Sequence, residues 1–259
     1  MNRGDFYRIY QENLMMLEQE MGIVKKYVQI SLGRYEYEKD LGRNTSFYET
    51  ETLAGTRLFC FLMCAWFEAR LYKILYEDSS EGVSDSEIVA INAKRTIGEK
   101  WKVSYHVAIC RKHGFAYQVN KDYSMGFTIE DDRNNYLLVE GLLNEIDKAI
   151  IVRNRLAHGQ CKTPLTSSRT NISTEILNYL NQYDNIQKLD YQFKYYKLIA
   201  EIINDLAVSN ETYKRNITSK MELIKTNREA IIKRKFEKYC KPFVKKEKQK
   251  QEMNRLFKR

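Results

Sequence analysis

The chain has 259 residues, is 43% apolar, and contains only 2 prolines and 11 glycines. That is enough apolar chain for one good-sized core, and the scarcity of turn formers argues against a strand-rich fold and for long helices. The net charge is +9. From Lys233 to Arg259 there are twelve Lys/Arg against three Asp/Glu, a net of nine, so the body before residue 233 is formally neutral. A basic segment on a neutral body points to a polyanion partner, most simply nucleic acid, or else to a solvated helical tail.

A first helix is expected from about Asp5 to Leu32, where Tyr10, Leu14, Leu17, Met21, Val24 and Val28 form a heptad stripe. Met1 to Tyr10 show no signal-peptide pattern, and the five cysteines are an odd number, so a reduced, cytoplasmic protein is expected. Gly33 and Gly42 bracket a polar connection. A second helix covers roughly Thr52 to Glu77. Its middle, Leu58 to Phe67, is apolar almost all round, as in a bundle centre, yet far too short to span a membrane.

Ser84 and Glu87 read as a capping box that starts a third helix, ending near Gly98. A fourth runs from Glu99 to His113 with Gly114 as its stop, and residues 115–129 form a loop. The fifth helix, about Glu130 to His158, opens with Glu130, Asp131 and Asp132, as the helix dipole favours. Gly159 ends it, and Pro164 with Ser167-Ser168 marks a linker. A short helix at Ser173–Gln182 and a long one from Tyr191 into the basic tail complete the chain. The simplest division is a helical bundle to residue 165, an extension over 166–240, and a basic tail over 241–259.

The end of the fifth helix carries the chemistry: Arg153-Asn154-Arg155-Leu156-Ala157-His158-Gly159. Asn154 and His158 are four apart and share a face, so the amide can orient the imidazole. Arg153 is five residues before His158, about 140° round the helix, but its long side chain can reach the same end. A guanidinium that binds phosphate beside an imidazole that moves protons is the minimal kit for RNA cleavage without a metal. Glu68, after the apolar run, is a candidate support for Arg153 or His158, although a surface ion pair with Arg70 or Lys73 is the simpler use of it.

Arg153, Asn154, Ala157 and His158 resemble the Arg-Asn-x-x-Ala-His motif of the HEPN family, and Arg57 to Leu71 is similar to that family's earlier core helix. The resemblance covers roughly residues 50–165. It implies an all-α HEPN-like bundle, here with a helical C-terminal arm, that dimerises so that two Arg/His pairs meet in one cleft. It also implies a cofactor-free endoribonuclease with Arg153, His158 and Asn154 at its centre, acting in toxin–antitoxin or antiviral defence. The partners implied are RNA, with tRNA a candidate, and an antitoxin or sensor protein. Many such toxins paired with nucleotidyltransferase antitoxins carry tyrosine two residues after the histidine; this chain has Gln160. The alternative reading is a non-catalytic RNA-binding or scaffolding subunit.

Further RNA contacts are expected from Arg155 and from Lys241, Lys245, Lys246, Lys248 and Lys250. Tyr191, Phe193, Tyr195 and Tyr196, interleaved with Lys194 and Lys197, can stack bases or form half of a core. A zinc site can be drawn from Cys60, Cys64, His106, Cys110 and His113, but Cys60 and Cys64 sit in the most apolar helix, and no metal is assigned.

Overall fold

The computed structural model describes residues 2–77, 82–118, 121–160, 163–166, 168 and 170–257. Ser167 of the expected linker, Cys161, and the last two basic residues, Lys258 and Arg259, lie outside them. The fold is all-α: among the described residues there is no strand, only an isolated bridge between Leu165 and Ile172. No helix among them is long and apolar enough to cross a membrane.

Helix α1 (Arg3–Asp40) and helix α2 (Ser46–Leu75) form an antiparallel hairpin. Its register is marked by Phe6 stacked on Tyr76, Tyr10 on Tyr72, Trp66 Nε1 donating to Glu18, and Ser31 donating to Glu51. The heptad stripe of α1 is the face that packs: Leu14, Met21 and Val28 are buried, with Tyr10, Leu17 and Val24 against the core. Gly42, at φ +68°, makes the turn.

Gly33 does not end α1. It lies inside the helix because a second helix presses on it there: a Cβ at Gly33 would stand 2.8 Å from the main-chain oxygen of Phe243. Gly98 likewise belongs inside a helix, where a Cβ would collide with the Asp147 carboxylate. The expected third helix therefore divides into α3 (Asp85–Asn92) and α4 (Ile97–His113), each opened by a capping box, Ser84 with Glu87 and Thr96 with Glu99. Gly114, in the left-handed conformation, closes α4. A single 3-10 turn, Ser124–Gly126, interrupts the following loop.

Helix α5 (Glu130–Ala157) buries Tyr136, Val139, Leu142, Leu143, Ile146, Ala149, Ile150 and Val152 along one face. After it come α6 (Thr174–Gln182), α7 (Ile186–Val208), α8 (Asn210–Lys233) and α9 (Phe236–Leu256). The single long helix expected from Tyr191 is thus three. Ser209, in extended backbone, ends α7 and caps α8 through its side chain, and Arg234 and Lys235 are extended between α8 and α9.

The segment after residue 165 shares a core with the helices before it. Tyr195, Tyr196, Ile199, Ile202 and Ile203 of α7 join α2, α4 and α5 in one core. Glu145 of α5 accepts from Tyr195 at 2.9 Å and from Arg228 of α8 at 3.1 Å. The basic tail is a helix seated in parallel along the second half of α1. Cys240 is 3% exposed, Gln29 donates to the Tyr239 hydroxyl, and Arg34 and Asp40 face Glu247 and Lys248.

Gly33 gives a direct check of that seating. Replacing a mid-helix glycine by alanine gains about 1 kcal/mol of helix propensity, but overpacking a fitted contact costs about 1–3 kcal/mol. Gly33→Ala should therefore strengthen α1 and loosen α9, so that limited trypsinolysis cuts within residues 236–256 sooner while the melting temperature moves little. Unchanged digestion would show that α9 is not seated on Gly33.

Candidate active site

The site is placed by the burial of α5. Val152 and Ala149 lock the last turns against the core, and the residues that follow emerge at the surface beside α2. Arg153 Nη2 donates to Glu68 Oε2 at 2.7 Å, and its Nη1 donates to Asn154 Oδ1 at 3.2 Å. The guanidinium carbon lies 5.8 Å from the centre of the Phe61 ring. Its Nε is buried with no hydrogen-bond partner among the described residues. The guanidinium is therefore fixed on two sides and backed by an aromatic face.

His158 is the C-cap of α5, with φ −94° and ψ 18°. Its main-chain N–H donates to the Asn154 and Arg155 carbonyls, and Gly159, at φ +73°, turns the chain away. The imidazole is exposed and makes no hydrogen bond to other described residues. The expectation that Asn154 orients it is not met, because Asn154 holds Arg153 instead. The four-residue spacing that aligns side chains in a helix lapses where His158 leaves helical backbone.

Of the sequence-level candidates, the structure brings together Arg153, Asn154, His158 and Glu68. The surface ion pair weighed for Glu68 does not form with Arg70 or Lys73: its partner is Arg153, across 85 residues of chain. Arg155 is half-buried on the same turn. Lys241, Lys245, Lys246, Lys248 and Lys250 are elsewhere, on α9 along α1. Three of them, Lys241, Lys245 and Lys248, share a groove with Glu36, Asp40 and Glu252. Tyr195 and Tyr196 are core and Phe193 packs against it beside Lys197, whereas Tyr191 lies next to the exposed Lys194 and Arg234.

The residues considered for zinc are used otherwise. Cys60 and Cys64 are buried, free neighbours, and a hydrogen bond between their thiols, with burial, pushes the Cys60 pKa well up. His106 pairs with Glu140 at 2.7 Å. No group of three or more His, Cys, Asp or Glu that could hold a metal ion occurs among the described residues.

The open side of α2 has no counterpart among the sequence expectations. Leu58 is 48% exposed, and with Leu53, Ala54, Phe61 and Leu156 it lines an apolar groove of about 430 Å³ next to Arg153. The signal was present: positions 54, 58, 61 and 68 follow helical spacing and end on Glu68. It was hidden because the whole run is apolar and no face stands out. Arg57 lines the groove and donates to Asp184, two residues before α7.

Comparison with protein-family models, with curated proteins and with solved structures finds no match to this chain.

Proposed function

We propose that the chain is a HEPN-type endoribonuclease that cuts RNA by attack of the ribose 2′-OH on the adjacent phosphorus. The observation that carries this reading is the fixed guanidinium of Arg153, held by Glu68 and Asn154, on the same helix end as an exposed, uncommitted His158. In the reaction the 2′-oxygen forms its bond to phosphorus as the bond to the 5′-oxygen breaks. The 2′-proton goes to a base, and the leaving oxygen takes a proton from an acid. The products are a 2′,3′-cyclic phosphate and a 5′-hydroxyl. Arg153 stabilises charge on the phosphoryl oxygens, and its orientation is prepaid by Glu68 rather than organised during the reaction. DNA has no nucleophile for this path.

One His158 is one proton-transfer group, and the reaction uses two. A second copy of the chain, packed two-fold over the Leu58–Phe61–Leu156 groove, supplies the other and covers exposed apolar surface. Residues that line this groove also flank Arg153, so a two-fold contact there brings both guanidiniums to one cleft. Such a nuclease fits a toxin or antiviral defence effector, kept in check by an antitoxin or sensor protein.

Purified protein should cut single-stranded RNA or tRNA in excess EDTA, leaving 2′,3′-cyclic phosphate ends. His158→Ala should lower the rate about 100-fold or more, in the range of a lost acid–base group. Loss of activity in EDTA, or 5′-phosphate products, would contradict the mechanism. Leu58→Glu, at an exposed position, should keep the helical circular-dichroism spectrum, run as a monomer in light scattering and lose the cleavage. A monomeric wild type with full activity would remove the shared cleft.

A further inference from the structure

The positive excess of the chain lies in its last segment, and two groups of its cations have unlike surroundings. Lys241, Lys245 and Lys248 face a groove that also holds Glu36, Asp40 and Glu252, and Lys248 pairs with Asp40 at 3.3 Å. Those charges are balanced locally. At the α8–α9 elbow they are not. Lys233, Arg234, Lys235 and Lys238 are all exposed, and among the described residues only Lys233 has a carboxylate partner, Glu229.

The elbow folds back beside the start of α7. The Arg234 guanidinium carbon lies 5.2 Å from the centre of the Tyr191 ring, and Lys194 Nζ lies 4.8 Å from it. Lys188, Tyr191 and Lys194 are three apart and form one row on α7. Glu237 turns into the α1–α9 groove. Asp190 is already engaged, by Lys25 at 2.5 Å and Lys194 at 3.1 Å. Arg234 and Lys194 thus lie against one aromatic ring, and Lys188, Lys233, Lys235 and Lys238 are exposed on the same or adjoining segments, with Asp190 and Glu229 as the paired carboxylates.

From this arrangement we infer that the α8–α9 elbow and the adjoining row of α7 are a docking surface for single-stranded RNA, with Tyr191 as the platform for a base. The surface rests on the RNA reading of the active site for its biological ligand, and it stands on separate residues. The chemistry selects an unpaired strand. Phosphates take the place of solvent on Arg234, Lys235, Lys238 and Lys188. A base takes the place of a cation on the Tyr191 face, which a stacked duplex base cannot do. Arg234, planar and with its guanidinium carbon 5.2 Å from the ring centre, can stack on the incoming base or turn to its phosphate. The bond between Arg57 and Asp184 ties the start of α7 to the groove beside Arg153, so the docking surface and the cleavage site are joined through one short stretch of chain.

The test uses the full chain carrying His158→Ala, so that RNA is bound and not cut, with fluorescein-labelled oligouridine of about 16 nucleotides as probe. Anisotropy is read over a range of salt. Lys233→Glu, Arg234→Glu and Lys235→Glu together should weaken binding about tenfold or more and lower the log–log salt slope by about 2. Tyr191→Leu should weaken it about fivefold or more with the slope unchanged. The same three-charge reversal at Lys241, Lys245 and Lys248 should cost less than about threefold, because local carboxylates already balance those lysines. Equal losses in the two triple variants, an unchanged slope in the elbow variant, or duplex RNA bound as tightly as oligouridine would each overturn the proposal. Binding at the elbow by a protein that never cuts RNA would retire the nuclease reading and leave this surface standing. Cleavage by a protein whose elbow variant binds normally would do the reverse.

Discussion

The crossing of α2 and α5 is the constraint on which the candidate site depends, and the ion pair of Arg153 with Glu68 sits at its edge. Glu68 is 39% exposed, and a pair so open to water is worth no more than about 1 kcal/mol to the fold. It cannot be what holds the helices together. Burial of the six Val, Leu and Ile side chains along α5, each worth about 1.5–3 kcal/mol when fully removed from water, is far larger. Apolar packing therefore fixes where the end of α5 emerges, and the ion pair fixes only how the guanidinium points. That division leaves the polar groups available for chemistry without making the fold hostage to them.

The same helix is braced from its other side. Glu145 receives Tyr195 and Arg228, and α7 closes the core that α2, α4 and α5 share. The last third of the chain is thus structural to the site as well as basic. A boundary at residue 165 would strip Tyr195, Tyr196 and Ile199 from a core they help fill. Helix α7 has a buried face that completes the bundle and an outer row of Lys188, Tyr191 and Lys194.

Much of this was legible in the residues, and the failures have physical causes. The start of α5 at its three acids, its end at Gly159, the box at Ser84 and the stop at Gly114 are local signals, and each sits where it was read. Gly33 and Gly98 misled because glycine in a single sequence looks like a break. Here each marks a close approach, to Phe243 and to Asp147, that only the tertiary structure reveals. The break at Ser209 went unseen because neither proline nor glycine announces it; the serine supplies the cap by itself. Arg153 and His158 were visible as a pair, whereas the Asn154 bond to Arg153 depends on a side-chain choice that spacing alone does not decide.

The central claim is that a ribose hydroxyl, activated at Arg153 and His158, is the nucleophile. The most direct measurement compares single-turnover cleavage of an RNA oligonucleotide with that of the same strand carrying one 2′-deoxyribose immediately 5′ of the mapped cut. The account predicts that the all-ribose strand is cut and that the substituted strand binds equally well but is not cut at that bond. Cleavage of the deoxy-substituted bond at a comparable rate would contradict it.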